Sequence, residues 1–133
     1  MPPEREAGTI TKASPRSVKE TVDRLAELLG AKGIKVFAVI DQRAEARAVG
    51  LELRETTLVV FGNPVAGTPL MQSVPLAALD LPLKVLVWAD EDRGTQVSYA
   101  DPSMLAARYG LAPEQAAVLE GVTGLTDALV APS

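Results

Sequence analysis

Two periods of apolar residues run along the chain, and together they predict a mixture of helices and strands. After a capping-box sequence at 17–20, apolar residues recur at three- and four-residue intervals. These residues are Val18, Val22, Leu25 and Leu29. The spacing predicts an amphipathic helix that ends near Gly30–Gly33. The same helical spacing returns after Pro113 and predicts a C-terminal helix over 113–130.

Shorter apolar and β-branched segments predict the strands. They are Thr9–Ala13, Ile34–Ile40, Thr56–Phe61, Leu83–Trp88 and Thr95–Ala100. The segment Ile34–Ile40 is almost wholly apolar, which favours a buried strand, and the last two segments predict a hairpin. Strands that alternate with helices and end in a hairpin predict an α+β fold. We expect a largely antiparallel sheet of four to five strands, packed against helices on one side.

A length of 133 residues predicts a single domain over 1–133, and 47% hydrophobic residues suffice for its core. Residues 1–8 are polar and contain proline, so we expect a loose N-terminal arm. The predicted body then covers 9–111, and the C-terminal helical segment covers 113–130.

The composition excludes several classes of chemistry. Cysteine and histidine are both absent, which removes thiolate nucleophiles, Cys/His zinc sites and Ser-His catalytic pairs. We therefore expect no metal and no cofactor. A net charge of -4 with scattered basic residues argues against nucleic acid, and no apolar run is long enough to span a membrane. The missing cysteines, and a start that lacks the apolar stretch of a signal peptide, favour a cytoplasmic protein.

The glycine-containing stretch from Gly62 to Thr68 is the first candidate site. It lies between a predicted strand and a predicted helix that starts at Thr68-Pro69, and its glycines, Gly62 and Gly67, have P-loop spacing. It lacks the P-loop lysine, and Pro64 removes one N–H donor, so nucleotide hydrolysis is excluded. Two interpretations stay open. One is a capped turn, and the other is a site where Asn63, Gly67 and Thr68 contact a small anion.

Four further residues carry candidate chemistry, each with a plainer explanation. Lys84 lies in an apolar strand, where it would supply charge to an anion or act as a base, or extend its amine to solvent. Asp41 ends an apolar strand and would be a catalytic carboxylate or a helix cap. Asp80 is the alternative carboxylate partner of Lys84. Tyr99, across the hairpin from Trp88, would wall a ligand pocket or pack the core.

With these residues identified, the chain resembles the bacterial and archaeal family called domain of unknown function 302. Five stretches carry the resemblance, in family order, over about residues 17–111. They are TVDRL at 21–25, FAVID at 37–41, FGNPVAGTPLM at 61–71, DLPLK at 80–84 and SYADP at 98–102. The resemblance implies a small α+β fold grouped with TBP-like sheets, and a homodimer. It brings no established reaction.

The chain departs from the family pattern at three positions. Many relatives have histidine where this chain has Gln42, asparagine at the position of Ala100, and proline at that of Glu55. The first two departures remove polar groups from candidate site positions, which argues against an enzyme.

Three functions follow as hypotheses. The first is a cytoplasmic homodimer that binds a small anionic or polar ligand near the Gly62–Thr68 loop, with Lys84 supplying charge. The second is a small enzyme that uses Lys84 with Asp41 or Asp80, although no catalytic residue is assigned. The third is a purely structural or interaction domain.

Overall fold

The computed structural model describes residues 3–132, and within them strands and helices alternate as the sequence predicts. The strands are β1 (Glu4–Glu6), β2 (Thr9–Ala13), β3 (Lys35–Asp41), β4 (Thr56–Gly62), β5 (Leu83–Asp90) and β6 (Gly94–Ala100). The α-helices are α1 (Val18–Ala31), α2 (Gln42–Ala48), α3 (Pro64–Ser73), α4 (Pro102–Tyr109) and α5 (Pro113–Val130). A 3₁₀ helix spans Pro75–Asp80.

The described strands form one six-stranded sheet in the order β1-β2-β6-β5-β4-β3, and every neighbouring pair is antiparallel. This confirms the α+β class with an antiparallel sheet, although the strand number exceeds the expected four to five. The additional strand, β1, lies in the segment expected to be a loose arm and pairs with β2. Its sequence, Glu-Arg-Glu, has no apolar alternation that would predict a strand. The first two residues of that arm, Met1 and Pro2, lie outside the described residues.

Helices α1 and α5 pack on one face of the sheet and bury the main core. Central strands contribute Val59, Val85, Val87 and Val97, and the helices contribute residues at the predicted spacing. Those helix residues are Leu25, Leu29, Val122, Leu125 and Leu129. A second, smaller core of Leu70, Ala77, Leu105 and Leu119 holds α3, the 3₁₀ helix and α4 against α5. The space between the two cores is where the candidate site lies.

Helix α3 begins five residues earlier than the sequence analysis predicts, at Asn63-Pro64 instead of Thr68-Pro69. Asn63 caps it, because its side-chain oxygen accepts a hydrogen bond from the Val65 N–H at 3.0 Å, and Pro64 occupies the first turn. Asn63-Pro64 and Thr68-Pro69 both have the cap-then-proline pattern, and the structure uses the first. Thr68 and Pro69 therefore lie inside the helix rather than at its start.

Strand β3 is an edge strand, not the buried strand that its composition favours. Among the described strands it has only β4 beside it, and its Phe37 and Val39 side chains are 45% and 52% exposed. Apolar composition does not distinguish a central strand from an edge strand, since both have the same backbone conformation.

Candidate functional site

A cavity of about 470 Å³ opens beside the sequence FGNPVAGT, between α3, α5 and the adjoining ends of β4 and β5. Phe61, Val122 and Leu125 form its floor, where it meets the main core. Gly67, Thr68 and Met71 line it from α3, and the segment Leu81–Leu83 lines it from the approach to β5. The cavity thus lies where the two hydrophobic cores meet, and the residues that line it are mostly apolar.

Few polar groups face this cavity. Lys32, which caps the C-terminus of α1, is the one ionisable residue among the lining residues that the structure describes, and it is exposed. Asn63 and Thr68 also line the cavity. The Asn63 oxygen is occupied by the Val65 N–H, which leaves its amide N–H groups as donors. An apolar body with one acidic group matches this combination of walls and cation.

The predicted site residues do not all meet at this cavity. Asn63, Gly67 and Thr68 line it, as the glycine-containing stretch suggested. Lys84 and Tyr99 instead line a second cavity of about 290 Å³, which Asp80 also borders. Lys84 pairs with Val60 in the β4–β5 ladder and is exposed.

Asp80 in the second cavity is held by α4. Its carboxylate accepts hydrogen bonds from the Tyr109 hydroxyl and from Arg108, the latter at 3.2 Å. The bond to Asp80 raises the pKa of the Tyr109 hydroxyl above its usual value. Across residues 3–132, no hydrogen bond or ion pair joins Lys84 to Asp80 or to Asp41. The base-and-carboxylate pair of the enzyme hypothesis is therefore not assembled in this conformation.

Asp41 lines neither cavity and acts as a helix cap. Its side chain accepts a hydrogen bond from the Ala44 N–H at 3.0 Å at the start of α2. This is the plainer of the two interpretations of Asp41, and it accounts for an aspartate at the end of an apolar strand.

Tyr99 and Trp88 do not form the aromatic pair that the hairpin suggested. Trp88 pairs with Gln96 and donates from its indole N–H to the Ser98 hydroxyl at 2.9 Å. Because neighbouring residues on a strand point to opposite faces, Tyr99 lies on the other face from Ser98. There Tyr99 is buried in the main core, with Lys12 5.1 Å from its ring centre.

The residues of the larger cavity that the sequence analysis did not predict include Lys32, Phe37 and Gly121. Each comes from an element distant in sequence from the 61–71 stretch, and no local spacing relates them. Only the packing of α1, β3 and α5 around that stretch brings them together.

One protein-family model matches most of the chain. Residues 10–129 match the family model described as "Domain of unknown function DUF302". The chain belongs to this family. The match continues beyond the expected body at 9–111 and includes most of α5, so the helix that supplies one cavity wall is part of the family domain.

Several Brucella proteins are similar to the chain. The protein named "Fluoride-specific ion channel FluC 1" of Brucella suis biovar 1 is 40% identical over 106 residues, which cover 80% of this chain and 42% of that protein. The protein of the same name from Brucella abortus biovar 1 has the same identity, with 39% of its length covered. The chain thus spans about two-fifths of the curated relatives it matches. Within residues 3–132, no helix is long and apolar enough to cross a membrane.

A solved structure shares the fold. The crystal structure of the uncharacterized conserved protein DUF302 from Bacillus stearothermophilus superposes with a TM-score of 0.78. The match covers 94% of this chain and 97% of that one, at 19% sequence identity. This likeness shows the fold.

Proposed function

We propose that this DUF302 domain is a cytoplasmic, homodimeric protein that binds an amphipathic anion. The apolar part of the ligand would occupy the 470 Å³ cavity, and its acidic group would lie near Lys32. The observation that carries the proposal is an apolar cavity whose single lining cation, among the described residues, is the exposed Lys32. The cytoplasmic location rests on the absence of cysteine from the 133 residues.

The size and lining of the cavity favour an organic ligand. Ligand pockets commonly measure about 300–1,000 Å³ and are lined by apolar side chains with a few polar groups that fix orientation. Lys32 would supply charge, and the Asn63 amide and Thr68 hydroxyl would supply hydrogen bonds. The proposed ligand is still an anion near the Gly62–Thr68 loop, as the sequence predicts, but the cation that pairs with it is Lys32 and not Lys84.

Binding of 1-anilinonaphthalene-8-sulfonate, an apolar aromatic anion with a fluorescence readout, tests the proposal. We expect saturable one-to-one binding that Lys32→Met weakens by about threefold, as an exposed ion pair would. Lys84→Met is the matched control, because it removes a lysine that lines the other cavity, and it should leave binding unchanged. Decanoate should displace the dye better than decanol in the wild type, and this advantage should shrink in Lys32→Met. Binding that responds to Lys84→Met but not to Lys32→Met would return the charge to Lys84 and contradict this placement.

The names of the Brucella relatives suggest a second candidate, a domain that works beside an ion-conducting protein and responds to fluoride. The same dye assay distinguishes it. Sodium fluoride would displace the dye at concentrations where sodium chloride does not. Equal effects of the two salts, together with displacement by decanoate, would favour the organic anion.

A further inference from the structure

The sheet opens between β5 and β6 at one end. The last residues that pair between these two strands are Leu86 and Ser98. Strand β5 nevertheless begins at Leu83, and β6 continues to Ala100. Beyond the last pair, β5 stays paired with β4, and β6 stays paired with β2. The two halves of the sheet therefore separate at this end.

The cavity of about 290 Å³ lies at this opening. Three residues of β5 and three of β6 line it, and α4 and α5 contribute Met104, Leu105 and Val122. The strand residues are Leu83, Lys84, Leu86, Ser98, Tyr99 and Ala100. Tyr99 belongs to the core on the helix side of the sheet, whereas Lys84, next to the buried Val85, lies on the other face. The cavity is thus lined from both faces of the sheet.

Two polar groups that line this cavity are without a partner in the part of the chain that the structure describes. Tyr99 is 4% exposed, and its buried hydroxyl makes no hydrogen bond. Lys84 is exposed, and its ammonium makes no hydrogen bond or ion pair within residues 3–132. A buried hydroxyl without a partner destabilises a protein, and a ligand that supplies an acceptor removes that cost.

The other polar side chains at the cavity are already engaged. The Asp80 carboxylate accepts hydrogen bonds from Tyr109 and Arg108. The Ser98 hydroxyl accepts from the Trp88 indole at 2.9 Å and is 2.8 Å from the Thr11 hydroxyl. Because Arg108 offsets the charge of Asp80, Lys84 stays available to an acid from outside. The remaining lining side chains are largely apolar: Leu58, Leu83, Leu86, Met104, Leu105 and Val122.

We propose that this opening in the sheet is a second ligand site, which binds a short-chain oxo acid. The carboxylate of the ligand pairs with Lys84, its carbon chain contacts the apolar walls, and its carbonyl oxygen accepts a hydrogen bond from the Tyr99 hydroxyl. The volume is smaller than that of the 470 Å³ cavity, which favours a shorter carbon chain than that of decanoate. This site does not depend on the proposed function, although Leu83 and Val122 line both cavities.

Three probes of one chain length separate the two contacts. They are 5-oxohexanoate, hexanoate, which lacks the carbonyl group, and 2-hexanone, which lacks the carboxylate. We expect 5-oxohexanoate to bind best. Tyr99→Phe should weaken its binding about fivefold and remove its advantage over hexanoate. Lys84→Met should weaken its binding about threefold and remove its advantage over 2-hexanone. Lys35→Met is the control, because Lys35 is an exposed lysine of β3 that lines neither cavity.

Nuclear magnetic resonance titration measures the affinities and also locates the probe. The chain has one tryptophan, so the indole N–H of Trp88 gives a single resonance, and it donates to Ser98 at the cavity. This resonance and the amides of 84–86 and 98–100 should shift together. Shifts confined to 63–68 and Gly121 would place the probe in the larger cavity and overturn the second site.

Thermal denaturation without ligand distinguishes a binding hydroxyl from a structural one. Tyr99→Phe removes a hydroxyl without a partner, so its melting temperature should equal or exceed that of the wild type. Tyr109→Phe is the matched change, because it removes a hydroxyl that donates to Asp80, and it should melt at a lower temperature. An equal loss in both variants would show that the Tyr99 hydroxyl stabilises the fold itself and would overturn its role in binding.

The failures of the two sites are distinguishable. Absence of binding by all three probes, or affinities that neither Tyr99→Phe nor Lys84→Met changes, overturns the second site. Neither result bears on dye binding in the larger cavity, which Lys32→Met tests.

Discussion

A larger side chain on α5 that fills part of the cavity is the most direct test of the proposed ligand site. Gly121 lines the cavity, and a Cβ atom added there meets no other atom within 4 Å. The four side-chain carbons introduced by Gly121→Leu would occupy space needed by the apolar part of a ligand. Burial of one methylene group contributes about 0.8 kcal/mol. If the leucine keeps an equal number of ligand carbons out of the cavity, the binding free energy weakens by up to about 3 kcal/mol. That is roughly a 100-fold loss of affinity for the dye.

The same helix provides a matched control. Gly124 also lies inside α5, has the same open surroundings and does not line the cavity. Replacing either glycine by leucine favours the helix by about 0.8–1 kcal/mol. Both variants should therefore unfold a few degrees above the wild type, as measured by thermal denaturation. Only Gly121→Leu should lose dye binding, as measured by fluorescence titration. Equal affinity in the two variants would refute the assignment of the cavity as the binding site.

Two predictions concern the surrounding fold. The buried Lys12 ammonium donates to Thr126 Oγ1 at 2.7 Å and also pairs with Asp127 at 2.8 Å. Thr126→Val removes an acceptor from a buried charge and should cost about 2 kcal/mol in urea denaturation. In Lys12→Met/Thr126→Val the cost should be less than the sum of the single variants, and strict additivity would contradict the coupling. At the start of α4, a hydrogen bond from the Ser103 hydroxyl, with help from its N–H and from Arg5, lowers the pKa of Asp101. Ionised Asp101 stabilises the fold fully above the pKa of this carboxyl in the unfolded chain, about 3.9. The stabilisation is lost as the pH falls through the lower pKa of the same carboxyl in the folded protein. Asp101→Ala should therefore cost about 1 kcal/mol at neutral pH and progressively less in acid, whereas a pH-independent cost would contradict this role.

Elements whose pattern is local were predictable from the sequence. The predicted strand Thr9–Ala13 has the same bounds in the structure, and the capping box at Ser17 and Glu20 starts α1 as expected. The C-terminal helix occupies Pro113–Val130. In each case, the residues that determine the element lie within a few positions of one another, so periodicity and capping chemistry suffice.

Elements that depend on a distant neighbour were not predictable in this way. Strand β1 exists because β2 pairs with it, and its own three residues carry no strand pattern. The edge position of β3 likewise depends on the order of the strands in the sheet, which the apolar sequence of β3 does not encode. The start of α3 was ambiguous because two sites, Asn63-Pro64 and Thr68-Pro69, satisfy the same capping rule.

The lysine that lines the larger cavity is Lys32 and not the predicted Lys84. This difference shows why only part of the candidate site was predictable from the sequence. The polar residues Asn63 and Thr68 lie in one continuous stretch, so their common position follows from the chain itself. The charge partner must come from another element, and strand alternation gave no information on which one. The β4–β5 register places Lys84 opposite Val60, whereas Leu83 stands opposite Phe61 and lines the cavity. Lys32 reaches the cavity only because α1 ends beside it after packing against α5 and the sheet. In the proposed anion site, tertiary packing would thus supply the charge, and the paired tests of Lys32 and Lys84 measure that distinction directly.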